Sequence, residues 1–199
     1  MSFILSICKV AITLSVVAML AGCASVEVTE PSAEIARTSP QPSNLASGLA
    51  VRYYGGQYAN IRGLVEMMEY QKGVQGIPLP MLNYKVGEGT VLTTTTTDLM
   101  GADITGYINM SKKGRYTFLV HSNDGVRLNI GGKQIFEDPD IHGDRFSPEL
   151  YVDITDPGWY SIRVLYFEKS NSSTLELYWQ EPESDMVFVP TEAFGRIKK

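Results

Sequence analysis

The side chains able to do chemistry in this chain of 199 residues are few and poorly spaced for catalysis. There are two histidines, His121 in an alternating apolar stretch and His142 in a polar one, and two cysteines, Cys8 and Cys23, both near the N-terminus. A covalent mechanism needs a nucleophile beside its base, and a zinc site needs three or four His, Cys or carboxylate ligands at recognisable spacing. Neither pattern stands in the sequence. Asp138 and Asp140 form a close carboxylate pair, and glycoside hydrolysis needs only two such groups. Acidic residues are common, however, and residues 137–149, EDPDIHGDRFSPE, read as a solvated loop of the kind that carries ligand sites on a rigid scaffold. The last group is Ser122-Asn123-Asp124-Gly125, whose Asn, Asp and Gly suit a turn in which the Asp side chain accepts backbone N–H bonds. The expectation is a protein that is not an enzyme.

The elements that position these groups read as strands. In residues 114–132, Tyr116, Phe118 and Val120 share one face, and Val126, Leu128 and Ile130 share another, because successive strand side chains alternate. The stretch reads as an organising hairpin with its tip at residues 122–125. Gly131-Gly132 suits a second tight turn, from which Gln134, Ile135 and Phe136 return. Residues 150–154 follow as a strand, Asp156-Pro157-Gly158 as a turn, and then Tyr160, Ile162, Val164 and Tyr166 alternate inward, as do Leu175, Leu177 and Trp179. Upstream, residues 50–54 read as an edge strand, 104–110 as a strand, and the threonine-rich 91–97 as an exposed or edge strand. In residues 61–70 helix and strand compete, and the short length and Gly63 assign a strand. The fold class expected is all-β: a two-sheet antiparallel sandwich over residues 48–197, with Phe118, Leu128, Ile130, Ile162, Val164, Leu177 and Trp179 in its core.

One domain of about 150 residues can bury roughly 70% of its unfolded surface without disulfides, and residues 48–197 contain no cysteine. Without residues 1–22 the chain carries 16 basic and 22 acidic residues. A net acidic surface argues against nucleic acid, which needs clustered Lys and Arg.

Residues 10–20 form an apolar run too short to span a bilayer, where a helix needs about twenty residues. They read as the core of a signal peptide, residues 1–22. The run ends in Leu20-Ala21-Gly22-Cys23, which resembles the bacterial lipobox. That resemblance implies cleavage before Cys23, acylation of its thiol with palmitate-type chains, and a lipid anchor to the membrane. Ala24 resembles the sorting default for the outer membrane, which places the protein in the bacterial cell envelope. Residues 23–47, rich in Ser, Pro, Ala and Thr without apolar periodicity, read as the lipidated cysteine and a flexible linker.

A glycine-led strand, Ser-Asn-Asp-Gly, an alternating strand and Gly-Gly-Lys together resemble the centre of the protective-antigen (PA14-type) domain, a β-sandwich module. The segments that follow in family order are His142-Gly143, residues 158–168 (GWYSIRVLYFE), residues 175–179 (LELYW) and Val189-Pro190; residues 48–54 (GLAVRYY) fit its usual start. The module usually accompanies enzymes and seldom catalyses. Its sugar-binding members hold calcium with two aspartates at the tip and grip sugar hydroxyls through it. The resemblance therefore implies Asn123, Asp124 and Glu168 as metal ligands and Asn171 as a sugar contact. Asn123 replaces one family aspartate and removes a charge, which weakens calcium binding, and Glu168 could restore it. Two readings follow: a carbohydrate or cell-wall glycan-binding lipoprotein, calcium-assisted, or a structural lipoprotein whose sandwich contacts another envelope protein.

Overall fold

The structure is a computed structural model that describes residues 32–198. The signal peptide and Cys23 lie outside the described residues. The strands in chain order are β1 (Leu45–Ser47), β2 (Ala50–Gly55), β3 (Val74–Gln75), β4 (Asn83–Gly87), β5 (Met100–Met110), β6 (Gly114–Asn123) and β7 (Val126–Ile130). They continue as β8 (Lys133–Asp138), β9 (Arg145–Phe146), β10 (Leu150–Ile154), β11 (Gly158–Glu168), β12 (Ser173–Gln180), β13 (Met186–Phe188) and β14 (Phe194–Ile197), and one helix, α1 (Ile61–Tyr70), lies between β2 and β3.

Two antiparallel sheets form the sandwich. The first runs β1-β14-β5-β11-β7-β8, with β2 beside β5 and β3 on β2; the second runs β10-β6-β12-β13, with β4 beside β12 and β9 beside β6. All seven core residues expected from the alternation are buried. Alternation fixes which side chains face in, because a one-residue slip would turn every apolar side chain to solvent.

The organising stretch is not a hairpin. β6 pairs with β10, β9 and β12, whereas β7 pairs with β11 and β8, so the tip carries the chain from one sheet to the other. The apolar faces of the two arms meet across the core instead of lying side by side. The tip is thereby buried, with Asn123 and Asp124 at 9% and 3% exposure.

Residues 61–70 are helical. Asn60 caps the helix by accepting the Gly63 N–H at 3.1 Å. Ile61 and Leu64 then enter a second cluster with Tyr54, Tyr58, Leu165 and Phe167 on the outer face of the first sheet. That added layer overrides the weak helix propensity of Gly63. Gly101 of β5 lets the helix approach, since a Cβ there would lie 2.4 Å from Leu64 Cδ1.

The expected strand at 91–97 is a compact turn. Thr94 Oγ1 donates to the Val91 carbonyl at 2.7 Å and Val91 N–H donates to the Thr96 carbonyl at 2.8 Å, so the segment's bonds close on itself. The β2 segment, expected at an edge, lies between β5 and β3.

Residues 32–47, read from sequence as part of a flexible linker, lie against the sandwich. Ala33 N–H donates to the Tyr151 carbonyl at 2.9 Å, Ala36 N–H to that of Gly131 at 3.2 Å, and Thr38 N–H to that of Trp159 at 3.1 Å. Gln41 accepts the Trp159 N–H at 2.8 Å and donates to its carbonyl at 3.0 Å. The strap therefore bonds to the sheets through backbone N–H groups and the Gln41 side chain, a long-range pairing that composition does not encode.

Candidate functional site

The site is built where the buried tip between β6 and β7 meets three loops. Asp124 Oδ1 accepts the His142 N–H at 3.0 Å, and Oδ2 accepts the Lys169 N–H at 2.9 Å. One carboxylate thus fastens the loop after β8 and the loop between β11 and β12. Each carboxylate oxygen can accept twice, so each keeps a lone pair for another partner. The Asn123–Asp124 peptide bond is cis. The Asn123 carbonyl accepts the Tyr166 hydroxyl at 2.5 Å, while its side-chain amide has no hydrogen bond among the described residues. Burial raises the Tyr166 phenol above its ordinary range, which keeps it a donor at every working pH.

Glu168 ends β11 fully buried, and neither of its carboxyl oxygens has a hydrogen-bond partner among the described residues. A buried ionised carboxylate without partners is costly, so such a group takes up a proton or a cation. Burial pushes its pKa up to about 8, and the negative charges of Asp124 and then Asp98 push the same way. The N–H groups of Lys169 and Ser170 lie near enough to favour the charged form but are not aligned to bond it. At neutral pH the carboxyl is therefore largely protonated.

A third loop closes the corner. Asp98 Oδ1 accepts the Asn171 N–H at 3.0 Å, and Leu99 N–H donates to the Lys169 carbonyl at 3.3 Å. Asn171 adopts a left-handed φ of 79°, which Asn tolerates better than most residues, and its side chain is exposed beside Ser170.

The four residues singled out from sequence, Asn123, Asp124, Glu168 and Asn171, fall at this one corner. Asp98, Tyr166 and the His142 backbone complete it and were missed. Asp98 carries no local signal, following a threonine run, whereas the polar composition of the loop around His142 suits a ligand-site loop. Asp138 in that loop is engaged by Arg145, whose Nε and Nη2 donate to it at 2.6 and 2.5 Å.

Calcium takes six to eight hard oxygen ligands. Among the described residues no three His, Cys, Asp or Glu side chains are grouped as a ready cation cage. The donor set nevertheless has the right chemistry: two bare oxygens on Glu168, the spare lone pairs of Asp124 and the unbonded amide of Asn123. Solvent or ligand oxygens would have to complete the shell.

A PA14 domain profile matches residues 85–190. The chain belongs to the PA14 domain family. No curated protein matches it. Among solved structures, the PA14 domain of the MpAFP antifreeze protein is similar at 16% identity and a TM-score of 0.66, over 82% of this chain and 98% of that one. The Epithelial Adhesin 9 A domain from Candida glabrata, solved in complex with Galb1-3GlcNAc, is similar at 14% identity and a TM-score of 0.63, over 85% and 97%. An anti-sigma factor domain-containing protein is similar at 18% identity and a TM-score of 0.64 over 77% of this chain, which spans about half of that protein, 48%. At these identities the likeness is one of fold.

Proposed function

We propose that this protein is a non-catalytic cell-envelope lipoprotein, anchored through Cys23, whose PA14 domain binds a glycan with the help of calcium. The observation that carries the reading is Glu168, a fully buried carboxyl with both oxygens bare beside Asp124. Asp124 supplies a negative charge, Glu168 adds a second when calcium displaces its proton, and Asn123 adds an amide oxygen. A calcium ion bound there supplies open coordination positions for sugar hydroxyls. The exposed Asn171 stands at the rim to hydrogen-bond the sugar. The glycan-bound Candida glabrata neighbour supports the ligand class at the level of fold.

One observation favours the second reading, an assembly role. On the outer face of the second sheet, Phe146 stacks on His121 at 4.1 Å and Tyr178 on Phe188 at 4.2 Å, and Phe146 is 54% exposed. Exposed aromatics of this kind are enriched at protein interfaces.

Calcium calorimetry followed by a glycan array, with and without EDTA, tests the first reading. Heat with calcium and calcium-dependent glycan retention support it. No heat and no retained glycan overturn it in favour of assembly.

A further inference from the structure

The outer face of the first sheet presents a feature that includes none of the corner's residues. α1 covers one end of this face through Leu64 and Leu165, and the strap covers the other at Trp159. Between them lies an open trough of about 680 Å³. Its floor is laid out by strand register. One row crosses Arg52, Asp103, Leu165, Arg127 and Glu137, and the next crosses Ala50, Thr105, Arg163 and Asn129. At about 4.8 Å between strands, five strands give a trough of about 19 Å.

The charge in the trough opposes that of the chain. Arg52, Arg127 and Arg163 share the floor with two carboxylates, Asp103 and Glu137, and Arg196 of β14 lines the rim, in a protein of formal net charge −5. Arg163 donates Nε and Nη2 to Asp103 at 2.7 and 3.2 Å, and Arg127 donates Nε and Nη2 to Glu137 at 3.1 and 2.7 Å. A guanidinium has five N–H groups, so each keeps three. Arg196 has no hydrogen bond or ion pair among the described residues. Thr105, Ser161, Asn129 and Gln134 add hydroxyls and amides, and Tyr107 presents a ring and a hydroxyl.

We infer that this trough binds a carboxylate-bearing oligosaccharide of the uronic-acid class. The planar fork of arginine matches a carboxylate bidentately. Hydroxyls and amides between the arginines match sugar hydroxyls, and the Tyr107 ring offers a face to a pyranose. An acidic peptide fits less well, because peptide recognition on sheets uses free strand edges or apolar pockets. The trough floor consists of paired strands bearing polar side chains.

The test is calorimetry on the full chain, in EDTA and at low salt, with short oligogalacturonates as probe. Neutral oligosaccharides of equal length and poly-glutamate are the comparisons. The expected result is binding of oligogalacturonate alone, weakened at least about tenfold by Arg196→Gln and by Arg163→Gln, since each removes a charge-assisted bond. Arg196→Gln removes no hydrogen bond or ion pair among the described residues, and a thermal melt of the variant shows that its loss of binding is not a folding defect. Glu168→Gln should leave this binding unchanged, which separates it from the calcium corner. Equal binding of the neutral sugar, preference for poly-glutamate, no binding of any probe, or no effect of Arg196→Gln would each overturn the inference.

Discussion

Asp124 Oδ2 accepts the Lys169 N–H at 2.9 Å across 45 residues of sequence, while its Oδ1 holds the His142 N–H at 3.0 Å. A turn aspartate that bonded only its own turn would tolerate an amide. Here an amide satisfies one loop and turns its NH₂ toward the other loop's donor. Asp124→Asn is therefore expected to destabilise the domain by about 2 kcal/mol without calcium, and Asp124→Ala by about 3 kcal/mol. Urea denaturation in EDTA measures both; wild-type stability in Asp124→Asn would show that the loops do not depend on this carboxylate.

The strands and their inward faces could be read because burial on one face writes a period of two into the sequence. Their partners could not. Tyr116, Phe118 and Val120 face the core equally well in a hairpin or in a crossing between sheets, and the Ser-Asn-Asp-Gly tip suits both. The helix was missed because its evidence is tertiary: Ile61 and Leu64 are apolar for a second layer whose other half, Leu165 and Phe167, lies a hundred residues downstream. The corner was legible only through family likeness, since nothing local in Asp98 or Glu168 foretells that they meet.

The crossing itself is testable at Gly125. A Cβ there would lie 2.4 Å from Phe167 Cε1 and 2.7 Å from the Pro139 carbonyl oxygen. Gly125→Ala should destabilise by about 2 kcal/mol through overpacking, where an open hairpin tip would accept it. A thermal melt unchanged from wild type would contradict the closed tip.

The strap hangs on Gln41, whose side chain holds Trp159 on both backbone groups and donates to the Thr38 carbonyl at 2.6 Å. Gln41→Ala leaves the Trp159 N–H without this partner. Faster proteolysis within residues 32–44 is expected, with a loss of about 1 to 2 kcal/mol in stability. Unchanged cleavage would mean that the backbone bonds of Ala33, Ala36 and Thr38 suffice.

Glu168 makes stability fall as pH rises. Its pKa stands at about 8 in the folded state against an ordinary 4.5, so the folded protein binds the proton more tightly than the unfolded chain does. The stabilisation is fully present below the ordinary value and is lost progressively as pH climbs to about 8, a change of order 5 kcal/mol at its limit. Glu168→Gln keeps the neutral shape and should flatten this part of the profile, being more stable than wild type above about pH 8. Calcium acts on the same proton, because a cation replaces it on the carboxyl. Calcium affinity should therefore rise with pH up to about 8, each binding event should release a proton in buffers of differing ionisation enthalpy, and Glu168→Gln should bind calcium at least about tenfold more weakly. Calorimetry of wild type and Glu168→Gln across that range decides the matter: calcium heats equal in the two proteins, with no proton released, would remove Glu168 from the cation's shell and leave it a buried acid.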